Sequence, residues 1–209
     1  MDIVQINVEP RNDLGRKATK AVRNAGKIPA VLYSKKNGVS HFSTKHGDVK
    51  TMIYTPHFKL AEIVLEGTTR KAIIKDIDFH PVTDEIMHMD FLELVDGHPV
   101  LADIPVSFKG VSPGVKSGGK LIRTLRKVTV KTTPENLVDT LFVSIDELEL
   151  GSAVRVKDIE LPEGVQVMVE GATPVANVEV PRALKSADEK EEGGDATEGE
   201  EEEGEASEA

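Results

Sequence analysis

Two clusters of residues in this chain are of the right types and spacing to do chemistry. The first is Phe79-His80-Pro81-Val82, followed by Met87-His88-Met89-Asp90-Phe91. His88 and Asp90 are two apart, so on a strand both side chains point to one side of the sheet. If the segment ending at Phe79 pairs with this one, His80 joins them. Imidazole and carboxylate are common zinc ligands. The same groups can read an RNA groove, because imidazole offers either a donor or an acceptor. A polar sheet face with no ligand is the third reading, and spacing alone leaves all three open.

The second cluster is basic. Arg16, Lys20, Arg23 and Lys27 recur at i, i+4, i+7 and i+11, with Arg11 before them and Tyr33 after. On a helix these cations form one face, and arginine adds planar, bidentate recognition of phosphate. Any helix exposes charge to water, so the face alone does not decide between nucleic acid and solvent. The scarcity of opposing acids favours a polyanion.

A third stretch, Gly114-Val115-Lys116-Ser117-Gly118-Gly119-Lys120-Leu121, imitates a phosphate-binding loop. That loop needs a Ser or Thr hydroxyl for magnesium after the lysine, and Leu121 stands there. It reads as a glycine-rich turn between strands. The chain has no cysteine, which removes thiol catalysis, disulfides and zinc ribbons, and it shows no serine nucleophile elbow.

The elements that must position these groups are mostly strands. Residues 3–8 are β-branched and alternate, as a strand does. Over residues 16–25 the period changes: Ala18, Ala21, Val22 and Ala25 lie at helical spacing, with Gly26 as the stop. So short a helix with an alanine seam needs a sheet to dock on. Segments 28–33, 39–43, 60–65, 71–79 and 86–95 read as strands, with a short helix near 47–54. After the turn cluster Asp96-Gly97-His98-Pro99, strands are expected over 100–108, 120–131, 141–145, 154–161, 165–169 and 175–180. The predicted architecture is mainly β with two short helices. It comprises an N-terminal domain over 1–95, an all-β domain over 96–182 and a disordered acidic tail over 183–209.

Charge is distributed unevenly among these parts. The net charge of −10 belongs to the tail, where residues 183–209 hold 12 acids and 2 bases. The other 182 residues carry 24 charges of each sign. Within them, residues 1–36 hold eight cations against Asp2, Glu9 and Asp13, so that end would attract a polyanion. The opening Met1-Asp2-Ile3-Val4 does not look like a signal peptide, and no run of 18 apolar residues suggests a membrane span.

Two stretches, Arg11-Asn12-Asp13-Leu14-Gly15 and residues 22–33 (VRNAGKIPAVLY), resemble the opening of the bacterial large-subunit ribosomal protein L-twenty-five family. Residues 75–82 (KDIDFHPV) and His88-Met89-Asp90-Phe91 resemble its second signature. Residues 104–110, 114–119 and 161–165 are similar to the longer, two-domain CTC (general stress protein) form, so the likeness spans about 3–181.

The resemblance implies a six-stranded, β-barrel-like N-terminal domain that binds the loop E region of 5S ribosomal RNA. The implied RNA-facing residues are Arg11, Arg16, Thr19, Lys20, Arg23, Tyr33, Lys75, His80, His88 and Asp90. Asp78 stands where the family usually carries glutamine, and Ser34 where glycine commonly follows the tyrosine. Ionised Asp78 cannot donate a hydrogen bond, so it would meet a base amino group or a bound magnesium ion, or the contact is lost. The second domain would rest against other parts of the large subunit. The implied protein is non-catalytic and cytoplasmic on the ribosome, with no cofactor, resident metal, membrane or small-molecule substrate. The competing readings are a stress-related protein-interaction module and a metal-dependent hydrolase built on His80, His88 and Asp90.

Overall fold

A computed structural model describes residues 1–65 and 67–181. The segment read as a disordered acidic tail, 183–209, lies outside the described residues.

The single strand expected over residues 3–8 is two. β1 (Ile3–Ile6) runs parallel to β5 (Leu60–Leu65), and β2 (Val8–Pro10) runs antiparallel to β4 (Gly38–Lys45). The break falls at Asn7, whose carbonyl accepts a hydrogen bond from Thr44 Oγ1 at 3.1 Å. β3 (Lys27–Ser34), β6 (Thr68–Phe79) and β7 (Ile86–Glu93) complete a sheet of order β1-β5-β6-β7-β3-β4-β2. Its two ends belong to one bent N-terminal segment, so the sheet curls on itself. Counted as one strand, that segment leaves the six strands of a barrel-like domain.

Inside the curl, Ile6, Leu32, Phe42, Ile63, Met89 and Phe91 are fully buried. The Phe42 and Phe91 rings pack tilted at 5.7 Å. Helix α1 (Arg16–Asn24) precedes β3, and α2 (His46–Ile53) adds Val49 and Met52 to the core.

The second domain is a sandwich. β8 (Val100–Lys109), β10 (Lys127–Thr132), β11 (Leu141–Ser144), β13 (Ile159–Glu160) and β14 (Gln166–Val167) form a sheet of order β13-β11-β8-β10-β14. β9 (Lys120–Arg123), β12 (Ala153–Arg155) and β15 (Pro174–Glu179) form the other, of order β12-β15-β9. The segment expected as one strand over 120–131 therefore turns at residues 124–126 and passes from one sheet to the other. Ile104, Val128, Val130, Val143 and Val175 close the core between the sheets.

The glycine-rich stretch after β8 holds a short third helix, α3 (Pro113–Lys116), capped by the Ser112 side chain. Its glycines serve close packing. A Cβ on Gly114 would lie 2.6 Å from the Glu149 backbone, and one on Gly119 would lie 2.5 Å from Leu150 and Val178. No phosphate-binding loop is formed: the backbone is held against its own protein.

The two domains share apolar packing. Ile73 is fully buried and belongs to the second core rather than the first, and Phe58, Leu60, Leu92 and Leu94 of the N-terminal domain pack against that core too. The Phe58 N–H donates to the Asp139 carbonyl at 3.2 Å. Among the described residues, no helix is long and apolar enough to cross a membrane.

Candidate nucleic-acid interface

Two irregularities in one β-ladder place the candidate residues. Pairing of β6 with β7 is regular except at two β-bulges, between Ile74 and Asp76 and between Asp78 and Phe79. At the first, Lys75 is the extra residue, because Ile74 faces Phe91 while Asp76 already faces Asp90. A bulge re-aims side chains, so Asp76 and Asp78 fall on the outer face beside Asp90 and His88, with Asp78 directly opposite His88. At the second, Met87 is the extra residue, with its carbonyl beside the irregularity.

That carbonyl is where α1 is tied down. Arg23 donates from Nε and Nη2 to the Met87 oxygen at 3.0 and 2.9 Å. The helix otherwise docks shallowly: no residue of α1 is buried, and Ala21 and Ala25 of the expected seam are exposed. Val31 shows which side it covers. This β3 residue is absent from the inner core yet is 8% exposed, and α1 is packed on β3. Helix and outer face therefore form one surface.

On that face Asp90 joins two neighbours. Its Oδ2 accepts from the Tyr33 hydroxyl at 3.4 Å, and its Oδ1 lies 2.8 Å from His88 Nδ1. Oδ1 is buried and lacks any aligned hydrogen-bond donor, so the imidazole contact is an ion-pair approach rather than a straight hydrogen bond. The negative charge of Asp90 beside the phenol, with partial burial and the hydrogen bond, raises the Tyr33 pKa above its ordinary value. Tyr33 stays a neutral donor, and its ring is exposed beside the pair.

The cations separate into anchors and free ends. Arg11 Nη2 bonds the Asp13 carbonyl at 3.4 Å and Thr19 Oγ1 at 3.3 Å, bracing the start of the helix. Lys27 lies beyond the helix, at the head of β3, and is ion-paired with Glu9. It leaves the predicted basic face. Arg16, Lys17 and Lys20 remain exposed, with no carboxylate among the described residues within 4.0 Å. They surround a helix start whose N-cap, Gly15, offers no side chain, and the first turn holds no acid. Two cations in the first turn oppose the helix dipole, an arrangement that a bound anion would relieve.

His80 has a different occupation from the one its spacing suggested. Its Nδ1 accepts from the Val82 and Thr83 N–H groups at 3.3 and 3.2 Å, and its backbone closes the turn to Asp84 and Glu85. With that nitrogen used by the turn, it does not join His88 and Asp90 as a ligand. Among the described residues, no three His, Asp or Glu groups are placed to hold a metal ion. Lys75 points elsewhere too: it lines a cleft between the two domains together with Lys59, Asp76, Asp103 and Lys127. Sequence reasoning missed the Met87 and Lys75 bulges, which no residue pattern signals.

Comparison with known proteins agrees with this architecture. The Ribosomal L25p family matches residues 6–91, and the C-terminal domain of ribosomal protein TL5 matches residues 99–182. A relative from Porphyromonas gingivalis, named large ribosomal subunit protein bL25, is 38% identical over 188 residues, covering 90% of this chain and 97% of its own. Relatives of the same name from Phocaeicola vulgatus (35%, covering 90% and 97%) and Amoebophilus asiaticus (37%, covering 89% and 94%) are similar. The chain belongs to the ribosomal L25p family in its two-domain form, a family of structural proteins rather than enzymes.

Proposed function

We propose that this chain is a structural component of the bacterial large ribosomal subunit, ribosome-associated in the cytoplasm, and binds 5S ribosomal RNA at its loop E region. The RNA-binding unit is residues 1–95, and residues 96–182 form the second domain. The relatives named as large-subunit proteins support the first part. One structural observation carries the second: the unneutralised end of α1, with Arg16, Lys17 and Lys20, shares a surface with Tyr33, Asp90 and His88.

The chemistry fits RNA of irregular shape. A regular A-form major groove is too narrow for side chains, whereas non-Watson–Crick pairs present a readable surface. Arg16, Lys17 and Lys20 would fix register on phosphates, and Thr19 lies among them. His88 Nε2 and the Tyr33 ring would address base edges or 2′-hydroxyls. Arg11 and Arg23 hold the helix in place and keep spare N–H groups for the backbone. Asp78, opposite His88, would accept from a base amino group. His80 would contribute its remaining Nε2 from the hairpin turn, and Lys75 would reach RNA from the cleft side.

Purification of the tagged full chain from its own cells tests the proposal. Stoichiometric recovery of 5S RNA is expected. Recovery without 5S RNA, or sedimentation away from ribosomal particles in high-magnesium gradients, overturns it in favour of a protein-interaction role.

A further inference from the structure

Charge in the second domain is polarised in a way that the N-terminal site does not explain. Residues 104–134 carry seven cations and no acid, whereas residues 135–179 carry ten acids against Arg155 and Lys157. The fold carries part of this division into space. β9 and β10 are consecutive, joined by residues 124–126, and lie towards one end of their respective sheets. β12 and β13 are joined through residues 156–158 and lie at the other ends. One edge of the sandwich is therefore basic. The opposite edge carries Asp158 and Glu160, whereas residues 145–149 pack back against 109–114 at the end of the sandwich.

The basic edge is not neutralised locally. Arg123, Arg126, Lys127 and Lys131 have no carboxylate among the described residues within 4.0 Å. Lys120 faces Glu179 across the β9–β15 ladder and Lys109 pairs with Glu160, so both are left aside. Glu163 and Glu170 flank the short β14, and neither reaches these nitrogens. Arg123 is exposed and lies over the Phe108 ring, 5.3 Å from its centroid, a cation–π contact. Lys127 opens onto the interdomain cleft that Lys75 enters from its bulge. Two carboxylates share that cleft and keep their charge, Asp103 accepting from the Thr129 hydroxyl at 2.6 Å and Asp76 from the Ile77 N–H at 2.8 Å, so the unbalanced cations are Arg123 and Arg126 outside it.

We propose that Arg123, Arg126 and Lys127, continued across the cleft by Lys75, form a second RNA-backbone-binding surface, separate from the α1 face. It rests on the reading of the chain as a ribosomal RNA-binding protein. Its ligand is the phosphodiester backbone of an RNA helix, recognised by charge and not by base. Unpaired cations in a row cost little in water and gain by releasing counterions from a polyanion. The same RNA-bound protein would thus be held by both domains, with the cleft between them straddling a backbone.

Filter binding of the full chain to two probes, 5S RNA alone and deproteinised large-subunit RNA, tests this. Arg126→Ala/Lys127→Ala removes two phosphate contacts, so the log–log salt slope falls in magnitude by about 2. The fall appears with both probes if the backbone belongs to 5S RNA, and only with the larger RNA if it lies elsewhere. Lys157→Ala, on the acidic edge, leaves both slopes unchanged. An unchanged slope for the double variant on both probes overturns the proposal. So does lost ribosome occupancy at unchanged RNA affinity, which would assign the edge to a protein neighbour. Arg16→Ala/Lys20→Ala reports separately on the α1 face, so either surface can fail without the other.

Discussion

The Arg23 guanidinium of α1 donates two hydrogen bonds, at 3.0 and 2.9 Å, to the carbonyl of Met87, the bulged residue of β7. A helix with no buried residue thereby gains a fixed position beside His88. The geometry gives Arg23 a structural role in addition to its charge. Hydrogen bonds to a charged group contribute about 1.5–3 kcal/mol, so Arg23→Ala should cost about 2 kcal/mol in urea unfolding. Arg23→Lys, which lacks the fork, should recover only part of it. An unfolding curve unchanged by Arg23→Ala would mean that the helix is held by something else.

Asp90 sets the state of Tyr33. The chain has two tyrosines, so in a Tyr54→Phe background phenolate absorbance reports Tyr33 alone. Its titration should lie above the ordinary value of about 10, and Asp90→Asn should bring it down towards that value. A pKa raised in the folded state means that stability is full below the unfolded value and declines as pH rises through the folded one. The Asp90→Asn variant should therefore lose less stability than the parent in strong alkali. Identical titrations would contradict the contact.

Glu9 behaves in the opposite sense. A hydrogen bond from Lys27 and then its charge hold the Glu9 carboxyl below its usual range, with a smaller pull from Lys45. A depressed carboxyl pKa stabilises the fold above the unfolded value, about 4.3, and that contribution is lost as pH falls through the folded one. The stability difference between the parent and Lys27→Met should be small, present at about pH 7 and shrinking as pH falls below about 4.3. A difference that grows on acidification would refute the pairing.

Gly119 tests the reading of the glycine-rich turn. A Cβ there would meet Leu150, Val178 and the Gly114 carbonyl at 2.5–2.6 Å. Gly119→Ala should cost about 1–3 kcal/mol, as overpacking does, while leaving RNA affinity intact. A lost affinity for nucleotide or RNA with unchanged stability would restore the phosphate-loop reading.

Residue pattern and structure part company where pairing is non-local. Alternation and glycine punctuation were sufficient for the β-rich class, for α1 and for its stop at Gly26, whose N–H bonds the Arg23 carbonyl at 2.9 Å. The basic end of α1 and the shared face of His88 and Asp90 were legible from spacing. The division of residues 3–8 at Asn7 was not, because it depends on which edge strands lie on either side. Helical spacing also groups Lys27 with Arg16 and Lys20, although the stop at Gly26 puts it past the helix; that Glu9 claims the lysine is a non-local pairing that spacing does not show. His80 serves its turn through Nδ1, a role that its spacing from His88 does not distinguish from that of a ligand.

The most direct test of the central reading is the salt dependence of 5S RNA binding by the full chain. Contact with about six phosphates predicts a log–log slope near −4 to −5. Arg16→Ala/Lys20→Ala, whose side chains bond nothing else among the described residues, should lower its magnitude by about 2 without altering unfolding. A flat salt response in the parent, or an unchanged slope in that variant, would contradict the α1 face as the place where RNA is held.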